Sequence, residues 1–183
     1  MPLADQLTLA RIACAPIVVI LFTVDFVNHD YWGTVVFCIA MSTDWFDGRI
    51  ARRSGRTTSF GSLLDPVADK VLVLATLIVL LDAGVFPAWM VAAIVARELL
   101  VSGLRLAALE RGVVIAARDL GKLKTWSQAV AAAAGGLAAA GAWSTSVSWW
   151  LLLVALVLTW VSGLDYARSA PSVLRSPRAV VPS

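Results

Sequence analysis

Charge is scarce in this chain of 183 residues. Asp, Glu, Lys and Arg together make up 15% of it, and apolar residues reach 60%. An ordinary soluble domain is about a quarter charged and about half apolar. A globule this small has too little polar surface to cover such an excess, which excludes a soluble domain. Two cysteines exclude a disulfide scaffold, and 12 Gly and 7 Pro exclude collagen-like and low-complexity chains. Cys14 and Cys38 are expected at depths about 10 Å apart, too far for a bridge, and are read as buried apolar thiols. The single histidine, His29, has no partner pattern and receives no role. No basic stretch precedes the first apolar run, so the N-terminus is not read as a cleavable signal.

What remains is an all-α integral membrane protein. At about 20 residues per span the length accommodates about six helices with short connections. Thr125–Leu164 runs for 40 residues without a charge. As one helix it would measure about 60 Å, twice the hydrocarbon thickness, so it must fold back near 141–148. Spans are expected at about 7–27, 31–53, 64–82, 86–109, 122–141 and 147–167, within a single domain covering 1–183.

Lys and Arg are also missing from the connections after spans one, three and five. The 15 basic residues lie near the N-terminus, after spans two, four and six, or in the adjoining halves of spans three and four. The positive-inside rule then places both termini in the cytoplasm. Trp32, Trp89, Trp143, Trp149 and Trp150 gather at the opposite ends, where an aromatic belt belongs.

Acids are costly in membrane helices unless paired or facing water. Nevertheless the inner end of span two carries Asp44, Asp47, Gly48, Ala51 and Arg52 within an arc of about 140°. Span three opens with Gly61, Asp65, Pro66 and Asp69; the two acids are i,i+4 neighbours, and Pro66 suits a first helical turn. A short connection makes the two spans antiparallel neighbours, so the four carboxylates can converge. Their mutual repulsion calls for cations, and hard oxygen ligands favour Mg²⁺, Mn²⁺ or Ca²⁺ over zinc. Two such ions would suit phosphoryl chemistry. Gly48 and Ala51 would let a nucleotide or diphosphate lie against the helix backbone. The plainer alternative, interfacial acids solvated or paired with Arg49, Arg52 and Arg53, is preferred instead for Asp25, Asp30, Asp82, Glu110 and Asp165.

The series Asp44-x2-Asp47-Gly48-x2-Ala51-Arg52-x8-Gly61-x3-Asp65-x3-Asp69 resembles the complete signature of the CDP-alcohol phosphatidyltransferase family. All eight fixed positions and every spacing match. The resemblance implies a six-helix membrane fold, a homodimer, and a site opening to the cytoplasm at the plasma membrane. It implies that the four aspartates hold two Mg²⁺ or Mn²⁺ ions and that Asp69 is the base on the acceptor hydroxyl. Gly48, Ala51, Arg52 and Gly61 would contact the CDP moiety of CDP-diacylglycerol. The segment Leu7-Thr8-Leu9-Ala10-Arg11 resembles the opening of one subgroup, which adds Thr8 and Arg11 to those contacts, although Asp5 stands where that subgroup usually has Asn.

That subgroup uses sn-glycerol 3-phosphate as acceptor, and the stretches 97–105 and 121–125 resemble it too. The residues agree: Arg97 and Arg105 lie eight apart on nearly one helix face, and an arginine at membrane depth calls for an anion or a cavity. Lys122 and Lys124 could reach in from span five, giving a set suited to an acceptor phosphate. Lys70 is read as offsetting the charge of Asp69, and Arg111 and Arg118 as attracted to lipid headgroups. The expected product is phosphatidylglycerophosphate, with CMP released and no nucleic acid involved. The alternatives are a cardiolipin synthase using phosphatidylglycerol, a phosphatidylinositol phosphate synthase, or, from another class, a divalent-cation transporter. A transporter should place its ligands near the bilayer midplane, whereas these acids cluster at one surface.

Overall fold

The structure is a computed structural model. It describes the backbone of residues 3–54, 59–110 and 119–174, and the side chains of residues 11–42, 70–108 and 121–168. Six helices form: α1 (Leu3–Thr23), α2 (His29–Ser54), α3 (Ser59–Asp82), α4 (Ala88–Glu110), α5 (Asp119–Ala139) and α6 (Thr145–Leu174). No strand occurs among the described residues. The long uncharged stretch does fold back, at residues 140–144 between α5 and α6.

Two of the connections are built alike. After α3, Gly84 adopts φ 74°, its N–H donates to Leu81 O at 3.0 Å, and Val85 N–H donates to Leu80 O at 3.0 Å. After α5, Gly141 adopts φ 71°, with Gly141 N–H on Ala138 O at 3.0 Å and Ala142 N–H on Leu137 O at 2.9 Å. Both are Schellman caps, which satisfy carbonyls the helix end would leave open and need a residue tolerant of the left-handed region. They turn the chain sharply enough for short hairpins.

α1 packs against both α2 and α3, while α5 packs against α6, α2 and α3, and α4 lies against α6 and α3. The core is filled by Val18, Phe37, Leu72, Leu77, Met90 and Leu152, all almost fully buried. Small residues allow the closest approaches, as at many membrane helix interfaces. A methyl group at Gly135 would lie 2.5 Å from Phe86 Cζ, and one at Gly136 would collide with Thr34 Oγ1. That hydroxyl is already committed, donating to Asp30 O at 2.7 Å. Gly136→Ala should therefore destabilise the α2–α5 contact by about 1–3 kcal/mol. Gly103→Ala, where nothing lies within 4 Å, should not. Thermal unfolding of both variants in detergent checks the contrast.

α6 is patterned inside out. Its outward stripe is Val147, Trp150, Val154, Val157, Val161 and Leu164, spaced by three and four residues and each about half exposed. Its inward face includes Ser148, Leu152, Ala155, Thr159 and Gly163, all buried. A water-soluble helix reserves the apolar stripe for the core. Here the polar hydroxyls point in: Ser148 Oγ donates to Ala134 O at 2.9 Å. Such a surface suits lipid better than water. Among the described residues, Thr145–Arg168 is the one segment long and apolar enough to cross a membrane by itself. α4 carries Arg97, Glu98 and Arg105 within its apolar run, and α5 is rich in Ala and Gly.

Of the five tryptophans expected in an aromatic belt, Trp32, Trp89, Trp143 and Trp150 are exposed near helix ends, whereas Trp149 is partly buried against the core. Both thiols are free, but only Cys14 is partly covered; Cys38 is exposed. The expectation of two buried thiols thus fails for Cys38, which lies on the outward face of α2 beside the exposed Ile39. His29, the first residue of α2, received no role from the sequence, yet its ring lies 3.4 Å from Asp30 and 4.0 Å from Asp25.

Candidate functional site

The backbone places Asp44, Asp47, Gly48, Ala51 and Arg52 on α2, and Gly61, Asp65 and Asp69 on α3. Their side chains, like that of Thr8 on α1, lie outside the described residues, as do Arg111 and Arg118. Both helices continue through the acidic positions, so Asp44 and Asp47 (i,i+3) share one face and Asp65 and Asp69 (i,i+4) another. The four residues between Ser54 and Ser59 can span at most about 18 Å, which keeps the two acidic segments at one end of the bundle. Arg11, on α1, is buried and engaged within the protein.

The cations of the acceptor set divide into two groups. Arg97 and Lys124 are buried, Arg105 is half-buried, and Lys122 is exposed. The buried pair converges on a residue to which the sequence reading gave no role, Glu98, itself 2% exposed. Arg97 Nη1 donates to Glu98 Oε1 at 2.9 Å, and Lys124 Nζ donates to the same oxygen. Gln128 Nε2 lies 3.3 Å from Oε1 and donates to Thr159 Oγ1 at 2.7 Å, carrying the network to α6. On the other side Lys70 Nζ stands 3.6 Å from Glu98 Oε2. Lys70 also donates to Ser102 Oγ, which in turn donates to Glu98 O at 2.6 Å. Lys70 thus reaches across to α4, which is more than offsetting the charge of Asp69.

Arg97 owes its place to α6 as well. Its guanidinium lies over Gly163, where a methyl group would come within 2.8 Å of Nε. One buried carboxylate therefore faces three cations drawn from α3, α4 and α5, with α6 closing over them. Among the described residues the cluster holds a surplus of two positive charges, and Arg105 follows two turns farther along α4. A signal for Glu98 was present in the sequence. Two adjacent opposite charges, Arg97-Glu98, stand in the middle of an apolar helix, where an acid is expensive unless paired.

Among the described residues, the bundle gathers three cations around one buried carboxylate, while the four aspartates of the series stand on α2 and α3. The chain belongs to the CDP-alcohol phosphatidyltransferase family, whose model matches residues 1–161. It is 45% identical over 145 residues to the CDP-diacylglycerol–glycerol-3-phosphate 3-phosphatidyltransferase of Bacillus subtilis (strain 168), covering 72% of this chain and 75% of that one. It is 39% identical over 170 residues to the protein of the same name from Salmonella choleraesuis (strain SC-B67), covering 90% and 92%. The protein of that name from Shigella flexneri serotype 5b (strain 8401) is 38% identical over the same length.

Proposed function

We infer that this phosphatidyltransferase moves the phosphatidyl group of CDP-diacylglycerol to sn-glycerol 3-phosphate, giving phosphatidylglycerophosphate and CMP. Its relatives carry that activity in their names over most of their length. The observation in this chain that supports the acceptor is the cationic surplus around Glu98. Three cations on one carboxylate leave room for a dianion, and an acceptor phosphate would satisfy it through charge-assisted hydrogen bonds.

In this reading Asp69 takes the proton from the acceptor hydroxyl, whose oxygen attacks the β-phosphorus. The bond to the CMP oxygen breaks, and the phosphatidyl group ends on the acceptor. Gly48, Ala51, Arg52, Gly61, Thr8 and Arg11 hold the CDP end, while Arg97, Arg105, Lys122 and Lys124 hold the acceptor phosphate. No nucleophilic Cys or Ser is required. The donor set fits Mg²⁺ or Mn²⁺, being four hard carboxylates paired on α2 and α3. Asp44, Asp47, Asp65 and Asp69 would hold two such ions, which supply charge neutralisation at the diphosphate when bound.

The six helices are read as six membrane spans of a homodimeric plasma-membrane protein, with the termini and the site on the cytoplasmic side. The one-sided distribution of Lys and Arg and the outward apolar stripe of α6 support this.

An acceptor panel with labelled CDP-diacylglycerol in detergent tests the reading. Glycerol 3-phosphate should be used in preference to phosphatidylglycerol, inositol phosphate or free glycerol; preference for any of these overturns the acceptor. In the same assay, Arg105→Gln and Lys122→Gln should each raise the acceptor KM about ten- to a hundredfold, the cost of one charge-assisted bond. The KM for CDP-diacylglycerol should change little, whereas equal rises in both would count against the assignment.

A further inference from the structure

Glu98 is an anion buried where an anionic substrate is to be bound, and it needs an account. It does not serve as a substrate contact, because its carboxylate would repel a phosphate. Nor does the arrangement resemble a neutral structural ion pair, since three cations meet one acid and the surplus is left unmatched among the described residues. Two of those cations, Arg97 and Lys124, share a single oxygen. Like charges brought that close repel one another unless a fixed anion lies between them. The carboxylate is itself fixed from four helices: by Lys70 on α3, by Arg97 on its own helix, by Lys124 and Gln128 on α5, and through Gln128 by Thr159 on α6.

We propose that Glu98 is a positioning residue for the acceptor site, pinning Arg97 and Lys124 side by side so that an incoming phosphate dianion meets a preformed pair of cations. The assignment rests on the acceptor reading above, and it explains why Lys124 lies buried instead of reaching toward water. The carboxylate lowers the cost of assembling the cations before substrate arrives, and the phosphate then satisfies the charge that Glu98 leaves over. Without it the cations separate, and each acceptor molecule must gather them again.

The test is a pair of variants, Glu98→Gln and Glu98→Asp, assayed in detergent beside the unaltered protein, with KM measured separately for glycerol 3-phosphate and CDP-diacylglycerol. Glu98→Gln keeps the shape and removes the charge, so the acceptor KM should rise about tenfold or more while the lipid KM stays within about twofold. Glu98→Asp keeps the charge but shortens its reach by one methylene, and should show the same split to a smaller degree. It also preserves the test if the glutamine variant does not fold. An unchanged acceptor KM in a folded variant, or equal rises in both KM values, overturns the assignment. Failure of the acceptor reading would appear differently, as an unaltered protein that does not use glycerol 3-phosphate.

Discussion

Asp69→Asn is expected to lower turnover about a hundred- to ten-thousandfold, the range over which a positioned general base contributes. The amide keeps the shape of the side chain at its place on α3 but cannot accept the proton of the acceptor hydroxyl. Binding of CDP-diacylglycerol should survive, because Asp44, Asp47 and Asp65 remain to hold the ions and the lipid's CDP end is assigned to residues on α1, α2 and the start of α3. Single-turnover transfer from labelled CDP-diacylglycerol, with lipid binding measured in parallel, separates the two effects. Near-normal turnover would remove Asp69 from the chemistry.

Chelation should have an effect of similar size. If Asp44, Asp47, Asp65 and Asp69 hold divalent ions, EDTA should abolish transfer and Mg²⁺ or Mn²⁺ should restore it, with Zn²⁺ a poor substitute for an all-oxygen site. Chelation should also remove charge compensation from four neighbouring carboxylates, so the unfolding temperature in detergent should fall and recover with the same ions. Activity unaffected by exhaustive chelation would defeat the metal assignment. The unfolding measurement gives a readout that does not depend on substrate.

Much of the helical fold was legible because its six helices follow the apolar runs of the sequence. Long uncharged runs and the hairpin glycine at 141 needed no knowledge of packing. The acidic series was legible for a related reason: four aspartates at helical spacing in an apolar setting have few uses. What linear reading could not provide was partner choice. Lys70 follows Asp69 in the chain and was assigned to it on that ground, yet its ammonium group crosses to Glu98 and Ser102 on α4. Glu98 was passed over because, apart from its neighbour Arg97, its partners come from residues 70, 124 and 128, and only the bundle brings these to it. The exposure of Cys38 was missed for another reason. In a bundle whose outer surface is itself apolar, an apolar environment in the sequence does not distinguish inside from outside.

By composition α6 is the plainest part of the protein, a long apolar helix without an acid until Asp165. Gly163 and Thr159 make it otherwise. Arg97 occupies the space that a side chain at position 163 would fill, and Gln128 is held by the hydroxyl of Thr159. The helix therefore shapes the site by what it withholds as much as by what it offers. Exchanging its outward residues for any greasy stripe of equal length should pass unnoticed. A graft that filled the notch at 163 with leucine would evict the arginine, and a chimera could insert well, fold well and still lose its acceptor.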